Sequence, residues 1–293
     1  MHPDGEKVGE VLMATRELLF IQQGTKFSKN QISRRRLVLE TLRLQPIVAG
    51  FTELGQNDDW QTAKTAVKEA GYRWVGNKGW EPAIAVHPSV VITGKGAKFV
   101  HGGHPNPGGF QPRHAVWFTG MVDGDPNLEI SYVEFHSVTL ARRPAQRNPM
   151  RMLMTQTVGG LIRENGLGHR LGFGGGDLNE ADRPGDQSGQ HGILAEQGII
   201  TCWDEKNYYP DTHGGNPRPK RPSAIDAIMR LKNDQRVALV DADSELIPWS
   251  DHWRVWAKYA VTVPDEPPVE PPAPVIHECA DPACADVHEV VPV

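Results

Sequence analysis

The chain has 293 residues, of which 39% are hydrophobic and 23% charged, a balance typical of a soluble globular protein. It contains no run of about 18 apolar residues, which excludes a membrane-spanning helix, and its N-terminal segment lacks the pattern of a secretion signal. We therefore expect an intracellular, cytoplasmic protein with no membrane partner. Nothing in the sequence indicates an obligate protein partner.

The net charge of −5 is unevenly distributed. Residues 264–293 contain seven acidic side chains and no lysine or arginine, so residues 1–263 carry a net charge of +2. A mildly basic body permits a nucleic-acid partner without requiring one.

The C-terminal residues differ in composition from the rest. The stretch "VPDEPPVEPPAP" at 263–274 is rich in proline and acid, which predicts an extended linker. We therefore expect one domain over residues 1–263 and a disordered tail over residues 264–293. The alternative for the tail is a zinc site, whose ligands would be His277, Cys279, Cys284 and His288.

Helices and strands alternate along the first part of the body. Ser28 and Gln31 form a capping box before the helical pattern "ISRRRLVLETLRL", and "PIVAGFTEL" then has the apolar pattern of a buried strand. Asp58 or Asp59 is positioned to cap a helix over "WQTAKTAVKEA", and "YRWVG" follows as a strand.

The later segments favour strands. They are "AIAVHPSVVI", "HAVWFTGMV", "LEISYVEFH", "LGFGGG", "GIITCW", "AIDAIMRL", "RVALVDA" and "WRVWAKYAV". A helix beginning at Asn148 and Pro149 interrupts them. Many strands with a few helices predict an α/β sandwich of packed sheets.

Polar residues follow several of these apolar strands. Strand ends form the rim of a sheet, where binding sites lie. The side chains at these positions are Glu53, His136, Asp177, Asn179, Asp226, Asp251 and His252. Carboxylate and amide oxygens suit Mg²⁺ or Mn²⁺, and histidines transfer protons near neutral pH. Together they indicate hydrolysis of a phosphate ester.

Four motifs resemble those of the endonuclease/exonuclease/phosphatase superfamily, in the family's order and over about residues 10–261. They are "GFTELG", "EFHSV", "GGGDLNE" and "SDHWRV", and "SAIDAIM" resembles a fifth, the family's Ile-Asp-x-Ile strand. The members of this superfamily that the sequence resembles are of the deoxyribonuclease I and exonuclease III types. It implies a four-layered α/β sandwich, in which two packed mixed sheets are flanked by helices.

The resemblance also implies roles for the motif residues. Glu53 and Asp251 would hold the metal, while Asp226 would orient His252 for activation of water. Asp177 and Asn179 would contact the scissile phosphate, the attacking water or a second metal. Together with His136 they would stabilise or protonate the leaving oxygen. Glu81 would support His136, although "GWEP" is equally compatible with a turn bearing a solvated acid.

One position departs from the family pattern. Family members usually carry an asparagine at the end of the first strand, where "VLMATREL" offers Thr15, a weaker hydrogen-bonding group. Gly174, Gly175 and Gly176 before Asp177 are expected to let phosphate and neighbouring backbone approach closely.

The shared motifs indicate the reaction and leave the substrate open. Two basic loops adjoin the motif strands, and their side chains are expected to contact a nucleic-acid backbone: Arg142, Arg143, Arg147, Arg151, Arg218, Lys220 and Arg221. We therefore predict a metal-dependent nuclease acting on DNA rather than RNA. The alternatives are a phosphatase or phosphodiesterase for a small or lipid phosphate, and a catalytically impaired nucleic-acid-binding relative.

Overall fold

The computed structural model describes residues 13–25, 31–54, 58–103, 112–138, 144–182, 189–212, 224–247 and 250–264. These residues form two six-stranded sheets flanked by helices. The first sheet contains β1 (Met13–Gly24), β2 (Val48–Thr52), β3 (Arg73–Val75), β4 (Ala83–Val86), β11 (Val237–Glu245) and β12 (Arg254–Pro264). The second contains β5 (Val90–His101), β6 (Arg113–Val122), β7 (Glu129–His136), β8 (Leu171–Asp182), β9 (Ile199–Thr201) and β10 (Ala224–Leu231). The helices are α1 (Gln31–Leu42), α2 (Asp58–Glu69), α3 (Pro144–Asn165), α4 (Gly189–Glu196) and α5 (Cys202–Lys206).

Both sheets are mixed. The strand orders are β11-β12-β1-β2-β4-β3 and β5-β6-β7-β8-β10-β9. Only β1 with β2 and β7 with β8 pair in parallel in the part of the chain that the structure describes, and the other pairs are antiparallel. The two parallel pairs lie near the middle of their sheets, so their carboxyl ends bring side chains together at one rim of the sandwich.

The layers follow from the alternation of side chains along each strand. On β1, Phe20 joins the core between the sheets, whereas its neighbour Ile21 joins the core beneath α1 and α2. On the other side α3 packs against the second sheet and buries Met154 and Val158. The predicted four-layered α/β sandwich is therefore confirmed.

Aromatic side chains fill the middle of the inter-sheet core. The ring of Phe20 stacks on Phe173 at a centroid distance of 4.4 Å and on Tyr132 at 5.9 Å. Tyr259 of β12 lies 5.4 Å from Phe173 and closes the group. Such rings bury large apolar areas and contribute about 0.5–1.5 kcal/mol per pair beyond burial. The polar residues of the candidate site lie beyond this aromatic layer.

Some predicted elements differ from the observed ones. The segment "AIAVHPSVVI" is not one strand, because the N–H of Val90 donates to the carbonyl of His87 at 3.0 Å and closes a turn around Pro88. Its halves belong to different sheets, as β4 and β5. The last third of "GIITCW" is helical, since Thr201 caps α5 through a 3.1 Å bond from the N–H of Asp204.

The helices show two further differences. Helix α3 begins at Pro144, five residues before the predicted start at Pro149. Proline suits the first turn because it has no N–H to satisfy there, and the sequence offers two such prolines. Helix α4 was not predicted, since it has no apolar periodicity. No described helix combines the length and apolarity needed to cross a membrane.

Candidate active site

Three side chains from three parts of the chain form the centre of the candidate site. Glu53 follows β2, Asp177 lies on β8 and His252 precedes β12. One ligand atom of each lies within 4.8 Å of the other two. Nε2 of His252 is 3.4 Å from Oε2 of Glu53 and 3.9 Å from Oδ2 of Asp177. All three residues are buried, so their interactions are only weakly screened by water.

His252 is held by a carboxylate behind it. Its Nδ1–H donates to Oδ2 of Asp226 at 2.8 Å, and both side chains are almost fully buried. This bond leaves Nε2 directed toward Glu53 and Asp177. Burial opposes protonation of the ring, but the charges of Asp226, Asp177 and Glu53 outweigh it and raise the pKa of His252 well above its usual range.

Gly24 provides the room for His252. A β-carbon at Gly24, the last residue of β1, would lie 2.5 Å from Cγ of His252, closer than non-bonded atoms approach. The ring therefore packs directly over the end of β1. A larger residue at this position would displace the ring from Asp226.

His136 is placed between two carboxylates. Its Nδ1 lies 3.1 Å from Oε1 of Glu81 and its Nε2 lies 3.3 Å from Oδ2 of Asp177. The second oxygen of Glu81 is paired with the buried Arg113 of β6. Glu81 is thus part of a buried ion-pair chain, and the alternative of a solvated turn acid is wrong.

Asn179 orients Asp177. Its backbone N–H donates to Oδ1 of Asp177 at 2.7 Å, and its amide Nδ2–H donates to Oδ2 at 3.1 Å. The same amide nitrogen donates to the carbonyl of Ser137, at the end of β7, at 2.8 Å. The Asp-x-Asn spacing therefore folds into a local unit that holds both oxygens of Asp177.

Three of the site residues have left-handed backbone conformations. The φ angles are 58° for Glu53, 65° for Glu81 and 53° for Asn179. Such conformations cost roughly 1–3 kcal/mol for residues other than glycine and persist where the surrounding structure enforces them. Among the described residues other than glycine, the only further positions with positive φ are Gln45, Asp123 and Asn207, so half of the six lie in the candidate site.

The charge balance of the centre suits a divalent cation. Burial, together with the charges of Asp226 and Glu53, raises the pKa of Asp177 well above its usual range. Two buried carboxylates this close repel each other, and a bound cation would remove that repulsion. Carboxylate oxygens are the ligands that Mg²⁺ and Mn²⁺ prefer. The residues present therefore fit a divalent metal.

Comparison with known proteins gives a structural result only. No protein-family model matches the sequence, and no curated protein matches it either. Among solved structures, a humanized TDP2 from D. rerio has a TM-score of 0.63 and 15% identity, covering 83% of this chain and 98% of its own. The human Nocturnin catalytic domain has a TM-score of 0.61 and 12% identity, covering 85% and 97%.

A third similar structure is an endonuclease/exonuclease/phosphatase from Beutenbergia cavernae. Its TM-score is 0.58 and its identity 14%, and the match covers 84% of this chain and 72% of the Beutenbergia chain. This chain has the endonuclease/exonuclease/phosphatase fold. The expected superfamily fold is confirmed, while identities of 12–16% leave the activity to be argued from the site itself.

Within the endonuclease/exonuclease/phosphatase fold, Thr15 is not in the site. It lies on β1 opposite Thr262, to which it is hydrogen-bonded at 3.2 Å, and it is exposed. The strand continues for nine more residues to Gly24, or about 30 Å at 3.3 Å per residue. The assignment of Thr15 is therefore corrected, because the first strand is longer than its sequence suggested.

Two glutamines lie where β1 reaches the site. Gln23 Nε2–H donates to the carbonyl of Gly24 at 2.8 Å and to that of His252 at 3.4 Å. Gln22 Nε2–H donates to Oγ1 of Thr52, the residue before Glu53, at 3.3 Å. Both side chains are fully buried. The stretch "FIQQG" thus supplies two buried amide groups at the end of β1, a signal that a search for asparagine alone misses.

Asp251 is outside the group of three close ligands. The predicted metal pair was Glu53 with Asp251, whereas the structure brings Glu53 together with Asp177 and His252. Asp251 is partly buried and adjoins His252 in the chain. A metal position between Glu53 and Asp177 is thus favoured by the geometry, and participation of Asp251 stays a prediction.

The three glycines before Asp177 let neighbouring backbone approach closely, as predicted, but the space beside them is filled by protein atoms. Added β-carbons would lie 2.7 Å from Ile162 at Gly174, 2.0 Å from the Tyr132 hydroxyl at Gly175 and 2.3 Å from the Phe135 carbonyl at Gly176. The glycines therefore make room for the protein's own atoms rather than for phosphate.

Arg151 is not a surface contact for substrate. It is 2% exposed, donates to Oε1 of Gln190 at 2.8 Å and pairs with Glu180 at 3.3 Å. Gln190 in turn donates to Oγ of Ser137 at 3.2 Å. These residues support the segment that carries Asn179. Of them, the sequence indicates a role only for Arg151, as a contact for a nucleic-acid backbone.

The remaining predicted contacts lie outside the described residues. They are the basic side chains of the two loops and the proposed zinc ligands of the tail: Arg142, Arg143, Arg218, Lys220, Arg221, His277, Cys279, Cys284 and His288. Arg147 lies on α3, and its contact with substrate is likewise untested. Their roles stay predictions.

Proposed function

We propose that this chain is a divalent-metal-dependent phosphodiesterase that hydrolyses phosphodiester bonds in DNA. The observation that supports this most strongly is the arrangement of Glu53, Asp177 and His252, with His252 fixed by Asp226 at 2.8 Å. It supplies oxygen ligands for a cation and an oriented imidazole a few ångströms away, which hydrolysis of a phosphate ester needs.

In this proposal Glu53 and Asp177 hold Mg²⁺ or Mn²⁺, with Asp251 as a further ligand. When bound, the metal supplies Lewis-acid stabilisation of the negative charge on the phosphate. A bound cation would offset the Glu53 and Asp177 charges that raise the pKa of His252, so that a neutral ring accepts the proton of the attacking water at Nε2. Asp226 fixes the tautomer and stabilises the imidazolium that forms.

His136 acts on the other side of the reacting phosphate. Its Nε2, 3.3 Å from Asp177, donates a proton or a hydrogen bond to the leaving oxygen. Glu81 and Arg113 keep the ring in place through Nδ1. Asn179 keeps both oxygens of Asp177 directed at the centre.

The choice of DNA rests on charge and on one structural neighbour. The mildly basic body, whose basic loops adjoin the motif strands, suits a polyanionic backbone. One of the similar structures is D. rerio TDP2 in complex with a single-strand DNA product, with a TM-score of 0.61 and 16% identity.

A substrate panel tests the proposal. Plasmid DNA, single-stranded DNA, RNA and inositol phosphates would each be incubated with the protein and Mg²⁺ or Mn²⁺. We expect the DNA substrates to be cleaved fastest. Turnover of inositol phosphates alone would replace the nuclease assignment by a small-phosphate hydrolase. DNA binding without any turnover would identify a non-catalytic relative.

The panel needs a matched control for its active-site variant. His252→Ala removes the proposed base, and His169→Ala removes a histidine whose side chain is 64% exposed and pairs with Glu129. We expect hydrolysis to fall about 10²–10⁴-fold in the first variant and to be unchanged in the second. Equal loss in both would show that the effect is not specific to the site.

A further inference from the structure

A buried carboxyl group lies directly beneath the candidate site. Glu134 is on β7, two residues before His136, and is 0% exposed. Because side chains alternate along a strand, Tyr132, Glu134 and His136 face the same way, into the space between the sheets. The proposed mechanism does not use Glu134, and burying a carboxyl costs free energy that a leucine would not.

The strand registers define the level at which Glu134 lies. His136 is opposite Asp177 on β8, and Glu134 is opposite Gly175, one step further from the rim. On the facing sheet, Gln22 of β1 is opposite Gly50 of β2. Two residues of strand correspond to about 7 Å, so this level lies just below the reacting centre and above the aromatic core.

Two glycines leave the space that the Glu134 carboxyl occupies. A β-carbon at Gly50 would lie 1.8 Å from Oε2 of Glu134, and one at Gly175 would lie 3.3 Å from the same oxygen. Gly50 lies three residues before Glu53, and Gly175 lies two before Asp177. The carboxyl of Glu134 therefore fills the gap between the two strands that carry the proposed metal ligands.

Polar side chains lie between Glu134 and the segment that carries Glu53. The hydroxyl of Tyr132 donates to Oε2 of Glu134 at 2.9 Å. Oε1 of Gln22 would lie 2.9 Å from a β-carbon at Gly50, so it borders the same small space as Glu134. The amide of Gln22 donates to Thr52, which immediately precedes Glu53.

Burial, with the nearby charges of Asp226 and Asp177, raises the pKa of Glu134 well above its usual range despite the bond from Tyr132. A protonated carboxyl has a hydroxyl to donate and one oxygen that accepts. Oε1 of Gln22 and Oε1 of Glu134 are both buried, and neither makes a hydrogen bond within the described residues. The neutral carboxyl and the amide of Gln22 are thus chemically complementary.

We propose that Glu134 is a positioning residue of the site, which sets the placement of Glu53 and Asp177 by filling the Gly50–Gly175 gap and orienting Gln22 and Thr52. This inference rests on the proposed function in that it concerns the same metal ligands. It assigns Glu134 no contact with substrate or metal.

Two substitutions separate positioning from simple packing. Glu134→Gln keeps the shape and the neutral polar character, so we expect wild-type Mn²⁺ affinity and kcat to within about twofold. Glu134→Leu keeps the volume and removes the polar contacts, so we expect Mn²⁺ affinity and kcat to fall about tenfold or more, as for residues behind metal ligands. Since the leucine avoids burying a carboxyl, the melting temperature should stay equal or rise.

The readouts are Mn²⁺ binding followed by electron paramagnetic resonance, the melting temperature, and hydrolysis of DNA. A matched control is Ile228→Val, a buried substitution on β10 opposite Gly175, which should lower the melting temperature without changing Mn²⁺ affinity. If the wild-type protein binds Mn²⁺ but cleaves nothing, the proposed function fails while the binding comparison still tests Glu134.

The inference would be overturned if Glu134→Leu bound Mn²⁺ with wild-type affinity. It would also be overturned if Glu134→Gln and Glu134→Leu lost Mn²⁺ affinity equally and both had reduced melting temperatures. Reduced affinity in the leucine variant at an unchanged or higher melting temperature, together with rescue by glutamine, would support it.

Discussion

At the scale of single residues, the site is a set of charges placed where water does not screen them. Glu53, Asp177 and Asp226 lie around His252, and Glu81 is paired with Arg113. Their mutual repulsion is tolerated because the surrounding backbone fixes each side chain. Such arrangements are typical of functional sites, where pKa values are shifted at the expense of stability.

The first prediction concerns Asp226. In Asp226→Asn the pKa of His252 should fall, because the largest raising influence on that pKa is the Asp226 carboxylate. The ring also loses its preferred tautomer, so we expect kcat to decrease about 10²–10⁴-fold. Histidine NMR titration of the metal-free protein and a kinetic assay measure the two effects. An unchanged pKa with full activity would contradict the role given to Asp226.

The second prediction concerns pH and the metal-free protein. The pKa of Asp177 is raised in the folded protein. The contribution of Asp177 to the free energy of unfolding is therefore present below its ordinary pKa of 3.8, and it is lost as the pH rises through the folded pKa. The contribution of His252 is likewise present below 6.5 and lost as pH rises through its raised folded pKa. The melting temperature should therefore fall toward alkaline pH, and Mg²⁺ should restore it most strongly there.

Asp177→Asn provides the check on that pH dependence. Removing one of the repelling carboxylates should raise the stability of the metal-free protein at pH 8 by about 1–2 kcal/mol while abolishing hydrolysis. Asp123→Asn is the matched control, since the Asp123 side chain is 56% exposed and pairs only with Arg16 among the ion pairs of the described residues. Calorimetric melting at several pH values gives the answer, and a less stable Asp177→Asn would contradict the electrostatic account.

At the scale of elements, strand ends and glycines set the geometry. The third prediction is that Gly24→Ala disrupts the site, because its β-carbon would lie 2.5 Å from the ring of His252. We expect a loss of activity of at least about tenfold with the fold retained. Gly102→Ala is the control, since the nearest heavy atom to its β-carbon is 3.9 Å away. Equal activity of the two variants would show that His252 has room to move.

The fourth prediction concerns the support of β8 by α3 and α4. Arg151→Met would leave Glu180 and Gln190 without their buried cationic partner. Breaking such a pair costs about 3–5 kcal/mol. Urea unfolding measures the loss, and Arg170→Met is the comparison because the Arg170 side chain is 35% exposed. A cost below about 1 kcal/mol for Arg151→Met would contradict the proposed support.

At the scale of the whole molecule, the sequence predicted the fold class and most of the elements. The pattern of apolar residues was sufficient to predict a sandwich of sheets and helices. A strand buried on one face alternates apolar and polar residues, whereas a strand buried on both faces is continuously apolar. The resemblance supplied the order of the motif strands. The resemblance paired Glu53 with Asp251 as metal ligands, and no local pattern predicted the closer grouping of Glu53 with Asp177 and His252.

Other features were beyond sequence reasoning for physical reasons. The site end of β1 depends on how far the strand runs, and strand length is set by pairing with β2 and β12 rather than by composition. Burial of Arg151 and Glu134 depends on partners far away in sequence. The glycines before Asp177 were expected to admit phosphate as well as neighbouring backbone. The sequence does not show that side chains from other parts of the chain also fill their space.

The central claim is that this site hydrolyses DNA with a divalent metal, and plasmid cleavage tests it most directly. Supercoiled plasmid would be incubated with wild type, Asp177→Ala and His252→Ala, each with Mg²⁺ and with Mg²⁺ plus excess EDTA. The account predicts cleavage by wild type with Mg²⁺ alone, and at least about a hundredfold slower cleavage by both variants. Cleavage that persists in EDTA, or that survives both substitutions, would contradict it, as would intact plasmid in every reaction.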